Sequence, residues 1–116
     1  MTRVIVVGSG IIGLSTALFL ALDGLKVKVI TRNPEEATSW VAGGMLAPFS
    51  EGLEGVLFDF SYESLKEYPS FLEKVKDVSG QRVDFWTEGI NRVVLKGEEG
   101  LLETVKRYSS LGYGLE

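Results

Sequence analysis

Arg3-Val4-Ile5-Val6-Val7-Gly8-Ser9-Gly10-Ile11-Ile12-Gly13-Leu14-Ser15-Thr16-Ala17 is the stretch that decides the fold. Its first part is an apolar, β-branched run after Arg3, the composition of a parallel strand covered on both faces. The run breaks at Gly8-Ser9-Gly10. The next segment, residues 11–22, is almost wholly apolar with two small hydroxyls, and its length and its Leu and Ala content predict a buried helix. Asp23-Gly24 ends that helix, with Gly24 placed as a left-handed cap. Residues 25–31 then alternate as a second strand, Val27, Val29 and Thr31 on one face, Lys26, Lys28 and Ile30 on the other. The opening third therefore reads as a β-α-β unit with a parallel pair and a right-handed crossover.

Gly8, Gly10 and Gly13 form a GxGxxG pattern at the junction of strand and helix. Gly8 permits the tight turn, Gly10 lets backbone approach a diphosphate, and Gly13 lets the helix lie close to the strand. The unpaired amides at the helix start, those of Ile11 and Ile12 among them, attract phosphate charge. Three glycines alone are weak evidence. Between a β-branched strand and a helix carrying Ala17, they predict a dinucleotide site. An acidic residue at the end of the second strand normally takes the adenosine ribose hydroxyls. Here Thr31, Arg32 and Asn33 occupy that place. Arg32 is open to four readings: a solvated strand-end charge, a plane stacked on adenine, a contact to the cofactor's phosphate-side polar surface, or a partner for a 2′-phosphate.

Beyond Arg32 the pattern loosens. Asn33-Pro34 starts a turn, residues 35–40 suit a short helix, and the Gly-rich stretch that follows is longer than connections inside compact domains usually are. Its Trp40, Met45, Leu46 and Phe49 are expected to lie against a ligand or further protein. Residues 57–78 have helical periodicity through Leu57, Phe60, Ser61, Leu65, Tyr68, Phe71 or Leu72, Val75 and Val78, interrupted by Pro69. That predicts one kinked helix or two abutting ones, stopped at Ser79-Gly80. Residues 83–86 and 91–96 read as strands, and residues 98–110 as an amphipathic helix capped by Gly112. Asp59, Glu63 and Glu67 fall on the solvated side of the long helix. Glu98 and Glu99 sit where a helix dipole favours negative charge. Tyr113-Gly114-Leu115-Glu116 follow with no closing element.

The chain has 116 residues, about one domain's worth, with 45% hydrophobic and 24% charged residues. That is a globular composition. No run approaches the roughly 20 apolar residues of a membrane span, and no signal peptide is expected, since the first strand is read from Arg3 onward. Twelve Lys and Arg against 16 Asp and Glu give a net charge of −4, which argues against nucleic acid as a partner. With no Cys and no His, thiol redox chemistry, Cys or His metal sites and imidazole-based catalysis are excluded for this chain. No metal is expected.

Gly8 to Ala17, together with Gly24, resembles the extended FAD fingerprint of amine and amino-acid oxidases. Thr38-Ser39-Trp40-Val41-Ala42-Gly43-Gly44-Met45-Leu46-Ala47-Pro48 resembles the flavin-contacting loop of the glycine oxidase and D-amino-acid oxidase family, and Leu57-Phe58-Asp59-Phe60-Ser61 follows that family's order. Many relatives carry Glu where Thr31 sits. The D-amino-acid oxidase branch more often has a pair resembling Arg32-Asn33.

The resemblance implies an α/β fold: a Rossmann-like FAD-binding β-α-β unit with following helices and the start of a substrate-domain sheet, incomplete in this chain. It assigns residues 1–80 to the FAD-binding domain, 81–96 to the first substrate-domain strands, and 97–116 to an amphipathic helix and a truncated end. It implies FAD as cofactor, a small amino acid and dioxygen as reactants, and hydride transfer from the substrate α-carbon to the flavin. The imino acid then yields 2-oxo acid and ammonia, and peroxide forms. Gly8, Gly10, Ile11, Ile12 and Gly13 would hold the diphosphate, and Thr31, Arg32 and Asn33 would lie beside the adenosine. Thr38 and Ser39 would bond the phosphate or ribitol side, or cap a helix. Ala42, Gly43, Gly44 and Met45 would run along the isoalloxazine. Family members are about three times this long, so the catalytic residues are expected in the remainder of the protein or a partner chain. A cytoplasmic location is expected, and a homo-oligomer is compatible with the reading. The alternatives are an NAD(P)-dependent dehydrogenase and a non-catalytic subunit that only binds the dinucleotide.

Overall fold

The computed structural model describes residues 2–113. The chain forms two compact units, Met1–Met45 and Leu46–Glu116.

In the first unit, β1 (Arg3–Val7) and β2 (Lys26–Ile30) pair in parallel, with Arg3 opposite Lys26 and Val7 opposite Ile30. Helix α1 (Ile11–Leu22) connects them. Val4 and Val6 of β1 and Val27 and Val29 of β2 turn inward, and α1 answers with Gly13, the buried Ala17, Leu18 and Leu20. Small residues one helical turn apart bring the α1 backbone close to the sheet. The helix ends in a Schellman arrangement: Leu25 N–H donates to the Leu20 carbonyl and Gly24 N–H to that of Ala21, both at 3.0 Å, with Gly24 at φ 82°.

Two expectations need correction here. β1 is covered on one face only, for Ile5 is 63% and Val7 83% exposed. Helix α1 is amphipathic in its burial, with Ile12, Leu14, Phe19 and Leu22 exposed. One helix covers one face of a sheet, and among the described residues of this unit nothing lies on the other.

Residues 35–40 do not form one helix. Asn33 Oδ1 accepts the Glu35 N–H at 3.1 Å and caps a 3₁₀ turn, Pro34–Glu36, with Pro at its start. The four-residue helix α2 (Thr38–Val41) follows.

The second unit is built on α3 (Gly55–Ser79), a single 25-residue helix that runs through Pro69. Gly80 ends it in the left-handed region at φ 70°, its N–H donating to Lys76 O at 2.8 Å. The inward stripe runs through Phe58, Tyr62, Leu65, Tyr68, Leu72 and Val75. It does not start on Leu57 and Phe60, which are 59% and 71% exposed. The reason is an aromatic cluster. Phe58 stacks on Tyr108 of α4 (Glu99–Ser110) at 4.4 Å between ring centroids, and Phe49 meets Phe58, Tyr62, Tyr108 and Tyr113 edge-on or tilted at 5.3–5.6 Å. That geometry suits ring quadrupoles and sets the inward residues of the first turns at Phe58 and Tyr62, while Leu65, Tyr68, Leu72 and Val75 lie inward as the periodicity predicts.

Residues 83–86 and 91–96, expected as strands, carry no strand structure. Among the described residues the only sheet is β1–β2. A strand needs a ladder partner for its amides, and Val83, Trp86, Val93 and Leu95 stay half or more exposed without one. This segment is held instead by Arg92, which donates to Ser50 O and lies 3.8 Å from Glu98. The expectation for residues 114–116 lies outside the described residues.

Candidate functional site

The carboxyl ends of β1 and β2 and the amino end of α1 surround an open cavity of about 800 Å³. Its size lies within the usual range for small-molecule sites. Gly8 turns the chain out of β1 at φ 105°, a conformation side-chain-bearing residues avoid. Gly8 N–H donates to Ile30 O at 2.8 Å and extends the β1–β2 ladder into the turn. Across the same gap, Ser9 Oγ donates to Thr31 Oγ1 at 3.1 Å. The turn is thereby tied to the end of β2 by one main-chain and one side-chain bond.

Gly10 is the N-cap of α1 and offers no side chain to the helix amides, and the first turn carries no acidic residue. The helical ladder starts with Leu14 N–H to Gly10 O at 3.0 Å, so the amides of Ile11, Ile12 and Gly13 precede it. Ser39 Oγ, from α2, accepts the Ile11 N–H at 2.9 Å. Ser39 thus acts as a cap brought from 28 residues away. Its oxygen marks where an anion's oxygen would meet the helix end.

The glycines divide the work as the motif requires. A Cβ at Gly13 would overlap the Gly8 carbonyl oxygen and come within 3.6 Å of Val6 Cγ1, so Gly13 governs how closely α1 packs. A Cβ at Gly10 would fill the space beside the helix end, 3.4 Å from Ser39 Oγ. The turn, the bare backbone at Gly10 and the amides of Ile12 and Gly13, which precede the helical ladder, together fit a diphosphate.

Gly8, Gly10, Ile11, Ile12, Thr31, Arg32, Asn33, Thr38, Ser39 and Ala42 all line this cavity. Gly13 lies beneath it, against the Gly8 carbonyl. Gly43, Gly44 and Met45 are not among the lining residues, and Met45 is 75% exposed. Trp40 is also exposed, whereas Phe49 joins the aromatic cluster of the second unit. Three lining residues were missed from the sequence: Ser9, Glu36 and Ala37. Glu36 pairs with Arg32, whose Nε lies 3.1 Å from Glu36 Oε2 and whose Nη2 is closer still. The signal for it was an opposite charge four residues on, but such a pair reads as structural only once a helical turn is assigned.

A smaller cavity of about 300 Å³ lies in the second unit, between residues 46–53 and the Phe60, Leu65 and Tyr68 side of α3. Three groups with shifted ionisation belong to that unit. A hydrogen bond from the ammonium to Glu63 raises Lys66. The Gly97 N–H, bonded to its carboxylate, lowers Glu99. Burial pushes the Tyr108 phenol up, with Arg107 opposing.

A strand, a glycine turn that places a helix amino end over a cavity, and a second parallel strand define a dinucleotide-binding β-α-β unit. The chain belongs to the DAO family, described as FAD dependent oxidoreductase, whose sequence model matches residues 3–115. FAD is that family's cofactor, which decides between flavin and nicotinamide dinucleotides. The chain is similar to the bifunctional protein ThiO/ThiG of Trichormus variabilis, 36% identical over 101 residues, covering 85% of this chain and 16% of that protein. It is also similar to the glycine oxidase of Pseudomonas aeruginosa, 29% identical over 109 residues, covering 92% of this chain and 30% of the relative. A shorter match is to the D-amino-acid oxidase of Streptomyces coelicolor, 53% identical over 48 residues, 40% of this chain and 15% of that one. The chain therefore spans less than a third of the length of these relatives. No solved structure matches it. Among the described residues no helix is long and apolar enough to cross a membrane, and no group of three or more His, Cys, Asp or Glu residues could hold a metal ion.

Proposed function

We propose that this chain is the flavin-dinucleotide-binding part of an enzyme that oxidises the amine of a small amino acid, glycine or a D-amino acid. The observation that carries the reading is the glycine turn, which bares the Gly10 backbone and the α1 amides toward one cavity. The Gly8–Gly13 turn receives the diphosphate, and the helix dipole and amides offset its charge. Thr38 and Ser39 supply hydroxyls on the ribitol side, Ser39 exchanging its bond to Ile11 N–H for one to the phosphate. Gly43, Gly44 and Met45 lie along the ring. Bound there, FAD would supply the two-electron oxidation of the amino acid, with dioxygen as final acceptor and water hydrolysing the imino acid, so that 2-oxo acid, ammonia and peroxide would be the products. This chain's part is to bind and orient, and the groups that hold the amino acid belong to the remaining length typical of its relatives. On the same reading residues 81–96 belong to the substrate domain and the protein is cytoplasmic, which fractionation of its source would check.

The test is a titration of the 116-residue chain with FAD, followed by flavin fluorescence. Saturation at one equivalent is expected for the native sequence. Gly10→Val should abolish it, since φ −70° and ψ 173° at Gly10 accept valine without backbone strain while the side chain fills the diphosphate approach. A native chain that takes up no flavin would refute the reading. The catalytic half is tested by anaerobic bleaching of the flavin band with glycine and D-alanine, using the protein purified from its source with everything attached to it.

A further inference from the structure

At the end of β2, where a dinucleotide site usually places an acidic residue for the ribose hydroxyls, this chain has Thr31-Arg32-Asn33. Arg32 alone would suit the opposite preference, because an arginine there accommodates a 2′-phosphate. The structure changes that reading through the turn that follows. Asn33 caps it by accepting the Glu35 N–H, Pro34 starts it, and Ala37 N–H closes it on Pro34 O at 3.1 Å. The chain is thereby folded back so that the Glu36 carboxylate meets the Arg32 guanidinium at the cavity wall. Both bonds fall on one oxygen, Oε2, so Oε1 remains to accept from a hydroxyl.

We propose that Glu36 takes the place of the missing strand-end acid: it accepts from the adenosine ribose and, by neutralising Arg32, makes the site select dinucleotides without a 2′-phosphate. The proposal rests on the dinucleotide reading above and adds the residue that determines specificity. Its physical basis is charge. A 2′-phosphate entering beside Thr31 and Arg32 meets a guanidinium already paired, and a carboxylate that repels it. Adenosine with free 2′- and 3′-hydroxyls meets an acceptor. Side-chain exposures of 87% for Arg32 and 52% for Glu36 make the effect moderate and salt-dependent.

The probes are 5′-ADP and 2′,5′-ADP, titrated calorimetrically into the 116-residue chain at low salt. The native chain should prefer 5′-ADP. Glu36→Gln should narrow that preference by about two- to fivefold, the scale of an exposed charge pair, by weakening 5′-ADP and strengthening 2′,5′-ADP. Arg32→Ala in the Glu36→Gln background should remove the gain in 2′,5′-ADP binding. Thermal melts of the variants should match the native chain, because the pair is exposed. If 5′-ADP binds but its preference is unchanged by Glu36→Gln, the role of Glu36 is overturned while the site stands. If neither nucleotide binds the native chain, the site reading falls, and this inference with it.

Discussion

Alanine at Gly13 and alanine at Gly10 should separate folding from binding. At Gly13 the added methyl overlaps the Gly8 carbonyl oxygen and lies 3.2 Å from its carbon. Neither is the yielding end of a side chain. Gly8 is held by its N–H bond to Ile30 O at 2.8 Å, so the turn cannot swing away without breaking the ladder. Helix propensity favours alanine by about 1 kcal/mol, whereas overpacking against fixed atoms costs about 1–3 kcal/mol. The overlap is with backbone atoms that cannot yield, which puts the cost at the upper end and the net loss at up to about 2 kcal/mol, with α1 lifted off the sheet and FAD affinity reduced. At Gly10 the methyl meets Ser39 Oγ at 3.4 Å and Ala37 Cβ at 3.8 Å, ordinary contacts, in an extended backbone. Loss of a glycine N-cap costs less than about 1 kcal/mol. That variant should stay folded yet lose about tenfold or more in FAD affinity, equivalent to 1.4 kcal/mol. Urea unfolding followed by far-ultraviolet circular dichroism measures the first quantity and flavin fluorescence titration the second. An unchanged urea midpoint for Gly13→Ala, or a Gly10→Ala protein as unstable as Gly13→Ala, would refute the assigned division of labour.

Two further outcomes concern the second unit. Tyr108 is 2% exposed, and among the described residues its hydroxyl has no partner in hydrogen-bonding geometry. Tyr108→Phe should therefore be neutral or stabilising by about 1 kcal/mol, whereas Tyr108→Ala should cost about 3–5 kcal/mol by opening the aromatic cluster. A Tyr108→Phe loss on urea unfolding would show that the hydroxyl is bonded. For Glu99 the folded carboxyl lies below its ordinary value of 4.5 because the Gly97 N–H donates to it, with its own N–H adding to the effect. A lowered acid pKa stabilises the fold above 4.5 and ceases to do so as pH falls through the folded value. Helicity should fray with acid in the native chain, and Glu99→Gln should flatten that dependence. An identical acid titration of the two proteins would contradict this.

How much of this was legible depended on whether a residue's role is local. Strand, turn, helix and strand over the opening third follow from β-branching, two glycines at a turn and a small-residue helix. All three are signals carried within a few residues of the element they specify. The cavity wall was legible for the same reason at Gly8, Gly10, Ile11 and Ile12, which one turn brings together. Long-range contacts were not. The stripe of α3 was right at Leu65, Tyr68, Leu72 and Val75 but misplaced in its first turns, because Phe49 and Tyr108, 9 residues before and 50 after Phe58, decide which face is buried there. Residues 83–86 and 91–96 have strand composition, but β structure is a property of pairs, and no partner strand faces them among the described residues.

Glu36 shows where reading by motif stops. A fingerprint ties function to spacing: an acid about 20 residues beyond the glycines, or an arginine in its stead. What the ribose would meet, however, is a charge at a point in space, and the chain can deliver that charge from any residue a turn can fold back. Here Asn33 and Pro34 supply the turn, and its length places residue 36 against residue 32. Thr31-Arg32 judged alone leaves a 2′-phosphate partner among several readings of Arg32. Judged with the turn, the same arginine is half of a neutral pair. The acid absent from the motif is therefore better sought in the turn after β2 than at the strand end.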